Sequence, residues 1–77
     1  MQSLQAFVKA KRREAGLTQQ AFAEKAGVAL TVIRKIEQGK LDLQLEKVNQ
    51  VLKMFGHTLV PIRIKQVITD ETSEDQI

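Results

Sequence analysis

The 77-residue sequence contains no cysteine, tryptophan or tyrosine, and it has only one proline and one histidine. Without cysteine, neither a disulfide nor a thiolate metal site can form, which fits a reducing cytoplasm. The single histidine, His57, has no cluster of metal-type ligands to join, so we expect a structural role for it, with no metal and no cofactor. Because a phosphate-cradling glycine loop and a convincing catalytic grouping are also missing, we do not expect an enzyme.

Long apolar runs are missing as well. No stretch approaches the roughly 20 apolar residues that a membrane-spanning helix needs. Residues 1–17 carry four basic side chains where a signal peptide needs an apolar segment, so we expect a cytoplasmic protein without a membrane association. A chain this short allows one domain and buries only roughly 60% of its unfolded surface, so dimerisation would add stability.

The net charge of +3 conceals an uneven distribution. Residues 1–69 hold all 12 basic residues but only 5 of the 9 acidic ones, which gives this part a net charge of +7. A basic body of this size suits a polyanionic partner, although an ordinary solvated surface has the same composition. The remaining acidic residues lie in a polar tail over 66–77, which we expect to be disordered and to aid solubility or to bind a partner.

Two short helices joined by a glycine turn are predicted in the middle of the chain. Thr18 can cap a helix over 19–26, and Gly27 can end it in a left-handed conformation. A second helix over 29–38 follows, and Gly39 ends it. Two helices with this connection form the DNA-binding helix-turn-helix, whose second helix enters the major groove.

Further helices are predicted on both sides of this unit, over 3–15 and from about residue 44 to 55. Their apolar residues recur at helical spacing and are expected to face a common core. These residues are Leu4, Phe7, Val8 and Ala15 in the first helix, and Leu45, Val48, Val51, Leu52 and Phe55 in the last.

Residues 57–65 change to a period of two with β-branched side chains, which predicts a strand. Pro61 lacks a backbone N–H, so one side of this strand must be an edge at that point. A single strand has no partner within the chain, and it can pair either with a second copy across a two-fold axis or with a different protein. The expected dimerisation residues are Thr58, Leu59, Val60, Ile62 and Ile64.

The stretches 17–28 and 33–40 closely resemble the helix-turn-helix of the phage repressor and Cro-type (XRE-like) family. The shared features are Thr18-Gln19, the alanines at 21, 23 and 26, the central Gly27, the paired Ile33 and Ile36, and the terminal Glu37-Gln38-Gly39. The resemblance covers about residues 3–56 and implies a mainly α fold. That fold is a repressor-like DNA-binding domain of four to five helices over 1–56, followed by the C-terminal strand. It also implies a double-stranded DNA operator as the partner.

The resemblance further assigns roles to individual residues. The arginine matching Arg12 and the glutamate matching Glu37 form a structural ion pair in the family, and the glutamine matching Gln19 contacts a DNA phosphate. The loop after the second helix approaches the DNA backbone with its amides. The expected DNA-contacting residues are Gln19, Gln20, Leu30, Thr31, Arg34, Lys35, Gln38 and Lys40.

The second helix departs from the family pattern at its start. Residues 29–32 are Ala, Leu, Thr and Val, where well-known members often carry Gln, Ser or Asn that read base edges. Leu30 can only touch a thymine methyl or pack against protein, so Arg34 and Lys35 are the better polar candidates. Arginine can hold guanine O6 and N7 through two bonds, and both side chains can equally bind phosphates.

The C-terminal extension resembles the small HipB-type antitoxins, which partner HipA-type serine/threonine kinase toxins. This resemblance implies a strand pair between two copies, a bacterial cytoplasm with association to the nucleoid through DNA, and repression of the protein's own promoter. Two alternatives stay open. One is a protein-interaction module without DNA binding, which the apolar Leu30 and Val32 favour. The other is a stand-alone repressor of a phage or of a restriction system.

Overall fold

The computed structural model describes residues 3–64, and in this part of the chain four short helices follow one another. They are α1 (Leu4–Glu14), α2 (Gln19–Ala26), α3 (Leu30–Glu37) and α4 (Leu45–Lys53). Helix α3 has the most extensive contacts with the other helices, above all with α1 and α2, and is therefore the centre of the arrangement. The predicted mainly α fold is confirmed for these residues. None of their helices is long and apolar enough to cross a lipid bilayer.

Local capping sets the helix boundaries. The hydroxyls of Ser3 and Thr18 each accept a hydrogen bond of 3.1 Å from the backbone N–H three residues ahead, and so begin α1 and α2. Gly27 ends α2 with a left-handed φ of 75°, and its N–H donates to the carbonyl of Ala23. Helix α2 has the predicted bounds. The other three are one or two residues shorter at one or both ends, because their predicted end residues form caps or turns.

The core lies between the four helices, and Glu37 is the one buried polar side chain among residues 3–64. Phe22 is stacked on Phe55, with ring centroids 5.8 Å apart, and Phe7 and Phe55 are arranged edge to face, with centroids 6.2 Å apart. These contacts join α1, α2 and the turn after α4. The largest fully buried side chains are Phe22, Ile33, Ile36, Val8, Val48 and Val51.

Two residues that the helical periodicity placed in the core lie at the surface. Ala15 is the exposed C-cap residue of α1, and Leu45 is the first residue of α4 with 69% of its surface exposed. The periodicity continues to the ends of each helix, but at these ends the chain already turns away from the core. The prediction of a buried Ala15 and a buried Leu45 was therefore wrong.

The predicted strand is not seen, because residues 57–63 adopt neither helix nor strand in the described part of the chain. Asn49 holds the beginning of this segment: its Oδ1 accepts from the N–H of Leu59 at 2.8 Å and from the hydroxyl of Thr58 at 3.1 Å. The His57 ring packs against Phe7. Residues 59–64 expose the apolar side chains of Leu59, Val60, Ile62 and Ile64. Strand pairing between two copies stays a prediction, and the acidic tail over 66–77 lies outside the described residues.

A pair of identical substitutions tests this core. Leu52 is 4% exposed and Leu41 is 96% exposed. We expect Leu52→Ala to lower the free energy of unfolding by about 2–5 kcal/mol, since it leaves a cavity among buried neighbours. Leu41→Ala should change it by less than about 0.5 kcal/mol. Urea unfolding followed by circular dichroism measures both values, and equal losses would contradict the described packing.

Candidate nucleic-acid interface

Helix α3 has a buried side and a polar side. Ile33 and Ile36 are almost completely buried, which fixes the rotation of the helix against the core. Four residues at positions i, i+3, i+4 and i+7 form the opposite face, which we call the polar face of α3. Its members are Thr31, Arg34 and Gln38, which are exposed, and Lys35, which is half-buried.

The two apolar residues at the start of α3 pack onto the protein. Leu30 and Val32 are both half-buried and contact the core cluster. Much of their apolar surface therefore already has a partner within the chain, and their hydrophobicity does not require a second protein. The polar face of α3 remains the part of this helix that can present hydrogen-bonding groups to a ligand.

An ion pair connects the end of α3 to α1. The Arg12 Nε donates to Glu37 Oε2 at 2.7 Å, and its Nη2 donates to Glu37 Oε1 at 3.0 Å. The Nη1 of the same guanidinium donates to the carbonyl of Leu17 at 2.9 Å. The side chains of Arg12 and Glu37 are only 14% and 2% exposed, so this pair is shielded from water. Arg12 and Glu37 are the two residues to which the family resemblance assigns a structural ion pair.

Gln19 joins the same carboxylate from α2. Its Nε2 donates to Glu37 Oε1 at 3.1 Å. An amide nitrogen carries two hydrogens, so this bond leaves one N–H of Gln19 for a further acceptor such as a phosphate oxygen. The neighbouring Gln20 is exposed and lies 3.5 Å from Glu24, a distance at which a hydrogen bond is weak.

Glu37 therefore accepts from side chains of two other helices. Burial alone would raise the pKa of its carboxyl group, but the hydrogen bonds from Arg12 and Gln19, together with the positive charge of Arg12, lower this pKa below its ordinary value. The carboxylate is the form that these donors stabilise. Glu37 is thus held ionised inside the protein, where an unpaired charge would be costly.

The loop after α3 turns sharply at Gly39, whose φ is +75°. A larger residue would be strained by this left-handed backbone, and its Cβ atom would lie 2.7 Å from the Oε1 of Gln5, so the end of that side chain would have to move. The N–H of Lys40 donates to the carbonyl of Lys35 at 3.0 Å, which closes the end of the helix. The exposed Lys40 side chain follows Gly39 directly.

A second ion pair lies on this surface, and the sequence alone did not predict it. Lys35 Nζ lies 2.9 Å from Asp42 Oδ2. The hydrogen bond and the charge of Lys35 lower the pKa of the exposed Asp42 carboxyl group. Thr31, Lys35, Asp42 and Lys47 line one cleft between α3 and the beginning of α4. The sequence contains no signal for this pair, because Asp42 stands in an irregular loop.

Two amide side chains of α4 were also missed. Gln50 Nε2 donates to the carbonyls of Ala26 and Gly27 at 3.0 Å each, and so anchors the turn between α2 and α3. A Cβ at Gly27 would lie 3.0 Å from this nitrogen. Asn49 holds residues 58 and 59 as described above. Asn49 was the available signal, since asparagine is a poor helix former and its place in the middle of α4 indicates a contact made by its side chain.

The chain was compared with known proteins. Its sequence matches the family described as helix-turn-helix over residues 8–60. No match was found among the curated proteins or the solved structures. The matched range contains all of α2, α3 and α4 and most of α1. Residues 3–64 contain no group of histidine, cysteine or acidic side chains that could hold a metal ion.

The lowered pKa of Glu37 leads to a prediction about pH. The stability that the ionised Glu37 contributes is fully present above the ordinary glutamate pKa of about 4.3. It is lost as the pH falls from there through the lower pKa that Glu37 has in the folded protein. Glu37→Gln cannot ionise, so this variant should be less stable than the wild type at pH 7. It should also lose less stability between pH 7 and pH 3.5.

Urea unfolding at pH 7 and pH 3.5 measures the free energy of unfolding of the wild type and of Glu37→Gln. Glu14→Gln is the control, because Glu14 is 67% exposed and forms only a 3.6 Å pair with Lys11. This control should follow the wild type at both pH values. A Glu37→Gln protein with the wild-type pH dependence would contradict the assignment.

Proposed function

Because this chain belongs to the helix-turn-helix family of DNA-binding transcription regulators, we propose that it is a sequence-specific repressor of the phage repressor and Cro type. In this proposal α3 is the recognition helix and enters the major groove of an operator. The N-terminus of α2 and the loop at Gly39 face the phosphates on either side.

The polar face of α3 is the observation that supports the proposal most. Side chains that can reach base edges share one face of a helix whose opposite face is buried. Arg34 is exposed there and offers the paired donors that guanine O6 and N7 accept, and Thr31 offers a hydroxyl and a methyl group. Lysine and arginine outnumber acidic residues by 11 to 5 over residues 3–64, which favours a polyanionic ligand.

We propose that the protein binds as a homodimer. Two recognition helices would then enter successive major grooves about 34–36 Å apart, on a roughly palindromic operator. The exposed apolar side chains of residues 59–64 support an interface at this end of the chain, since a second copy would bury them. The strand predicted over 57–65 is the element that would form the contact.

The most specific part of the proposal is an antitoxin of the HipB type. In this role the protein represses its own promoter and binds a HipA-type serine/threonine kinase toxin. Support comes from the likeness of the C-terminal extension and from the small size of the chain. A kinase-like reading frame beside the gene would favour the antitoxin, whereas its absence would favour a stand-alone repressor.

Titration against DNA tests the proposed function. The purified protein is titrated against its own upstream DNA and against an unrelated duplex, at two salt concentrations. We expect selective binding to the upstream DNA that weakens steeply with salt, because phosphate contacts release counterions. Equal binding to both duplexes, or none, would instead support a protein-interaction module built on this scaffold.

A matched pair of arginine substitutions tests the recognition helix. Arg34 and Arg13 are both exposed, but only Arg34 lies on the polar face of α3. Arg34→Ala should weaken binding to the upstream DNA by about 1–3 kcal/mol, because paired bonds to a base are lost. Arg13→Ala should cause a smaller loss that is similar on both duplexes. Equal small losses for the two variants would contradict the assignment of α3.

Two truncations test the dimer. Deletion of residues 57–77 removes the proposed interface, whereas deletion of 66–77 removes the acidic tail alone. We expect the first protein to be monomeric and the second to stay dimeric in analytical ultracentrifugation, with circular dichroism confirming that both remain helical. A dimer that survives the longer deletion would place the interface elsewhere.

A further inference from the structure

The ion pair between Lys35 and Asp42 includes a residue of the polar face of α3. Lys35 belongs to the polar face of α3, and Asp42 stands in the loop that follows. The charged atoms are 2.9 Å apart, and the side chains are 43% and 72% exposed. Together with Thr31 they line the cleft between α3 and α4. A carboxylate thus lies on the surface that is proposed to meet DNA.

Folding stability gives little reason for this arrangement. Exposed ion pairs contribute little to stability, since water screens the charges and both side chains lose freedom. Beside DNA, however, a carboxylate has a clear electrostatic effect, because it neutralises one ammonium that would otherwise attract phosphates. The pair removes one cation from those available for binding that ignores sequence.

We propose that Asp42 is a specificity-determining residue that limits sequence-independent DNA binding by keeping the Lys35 ammonium paired within the protein. The inference rests on the proposed function. Sequence-independent affinity comes almost entirely from phosphate contacts, and each contact adds to the salt dependence. Because Asp42 keeps Lys35 paired, one fewer phosphate contact contributes to the salt dependence of binding. Arg34 and Thr31 remain able to contact bases.

The two binding modes respond differently to a freed Lys35. On unrelated DNA the protein can shift along the duplex until the lysine reaches a phosphate. On its operator, base contacts fix one register, so Lys35 can bind only a phosphate that lies within its reach in that register. Removal of the Asp42 charge therefore raises the affinity for unrelated DNA more than the affinity for the operator, and the ratio between them falls.

Asp42→Asn tests this inference, with Glu14→Gln as the matched control. Both substitutions remove one negative charge from an exposed lysine ion pair, but Glu14 pairs with Lys11 on α1. For Asp42→Asn we expect the salt slope on an unrelated duplex to steepen by about 0.9. This steepening equals a further loss of about 3.5-fold in affinity between 50 and 200 mM salt. Glu14→Gln should keep the wild-type slope.

Equal slopes for the two variants would overturn the inference, as would an unchanged ratio of upstream to unrelated affinity in Asp42→Asn. The double variant Lys35→Met with Asp42→Asn separates the pairing from simple repulsion. Its slope should not be steeper than that of the wild type, and a slope as steep as that of Asp42→Asn would show that Asp42 acts without Lys35.

The proposed function can fail separately from this inference. If the wild-type protein does not select its upstream DNA, the repressor assignment fails, and the inference fails with it. If the wild type selects its upstream DNA but Asp42→Asn and Glu14→Gln have the same salt slope, only the inference about Asp42 fails.

Discussion

The buried carboxylate of Glu37 is the interaction on which the remaining structure depends. It is the only buried charged residue in the part of the chain that the structure describes, and it accepts from Arg12 of α1 and Gln19 of α2. A charge in this position is tolerated only when its donors are in place, because loss of one partner leaves the other unpaired away from water. The requirement ties the ends of three helices to one point. In a small domain, it supplies an orientation that nonspecific apolar packing does not provide.

A second polar anchor lies at the other end of α3. Gln50 donates to the carbonyls of Ala26 and Gly27 at the turn before α3. Glu37, the last residue of α3, is held by Arg12 and Gln19 at the other end. Between these anchors, Ile33 and Ile36 fix the rotation of α3 by burial. The helix is therefore constrained at its start, at its end and about its axis. A rigid presentation of this kind reduces the ordering that binding would otherwise require.

Sequence reasoning located the elements better than it located the contacts between them. Caps such as Thr18 and Gly27 act through neighbouring residues, so the bounds of α2 could be predicted. The contact of Gln50 with the turn depends on how α4 docks, which no local pattern encodes. Periodicity likewise misplaced Leu45, because a repeat does not reveal where a helix leaves the core. Residues 57–64 have the alternation of a strand, but a strand needs a partner to form hydrogen bonds. The ion pair of Arg12 and Glu37 came from the family resemblance rather than from spacing.

The charges near α3 are largely satisfied within the protein, and this changes how the net charge should be understood. Arg12 is bound to Glu37, and Lys35 is bound to Asp42. Among residues 3–64, Arg34 forms no ion pair, so it is the cation of α3 that can bind an external acceptor without first breaking an ion pair. In the proposed complex with DNA, the positive charge that attracts phosphates then comes from residues around the helix, such as Lys40. The helix itself contributes one strong donor group and a hydroxyl, which suits base reading better than general attraction to phosphate.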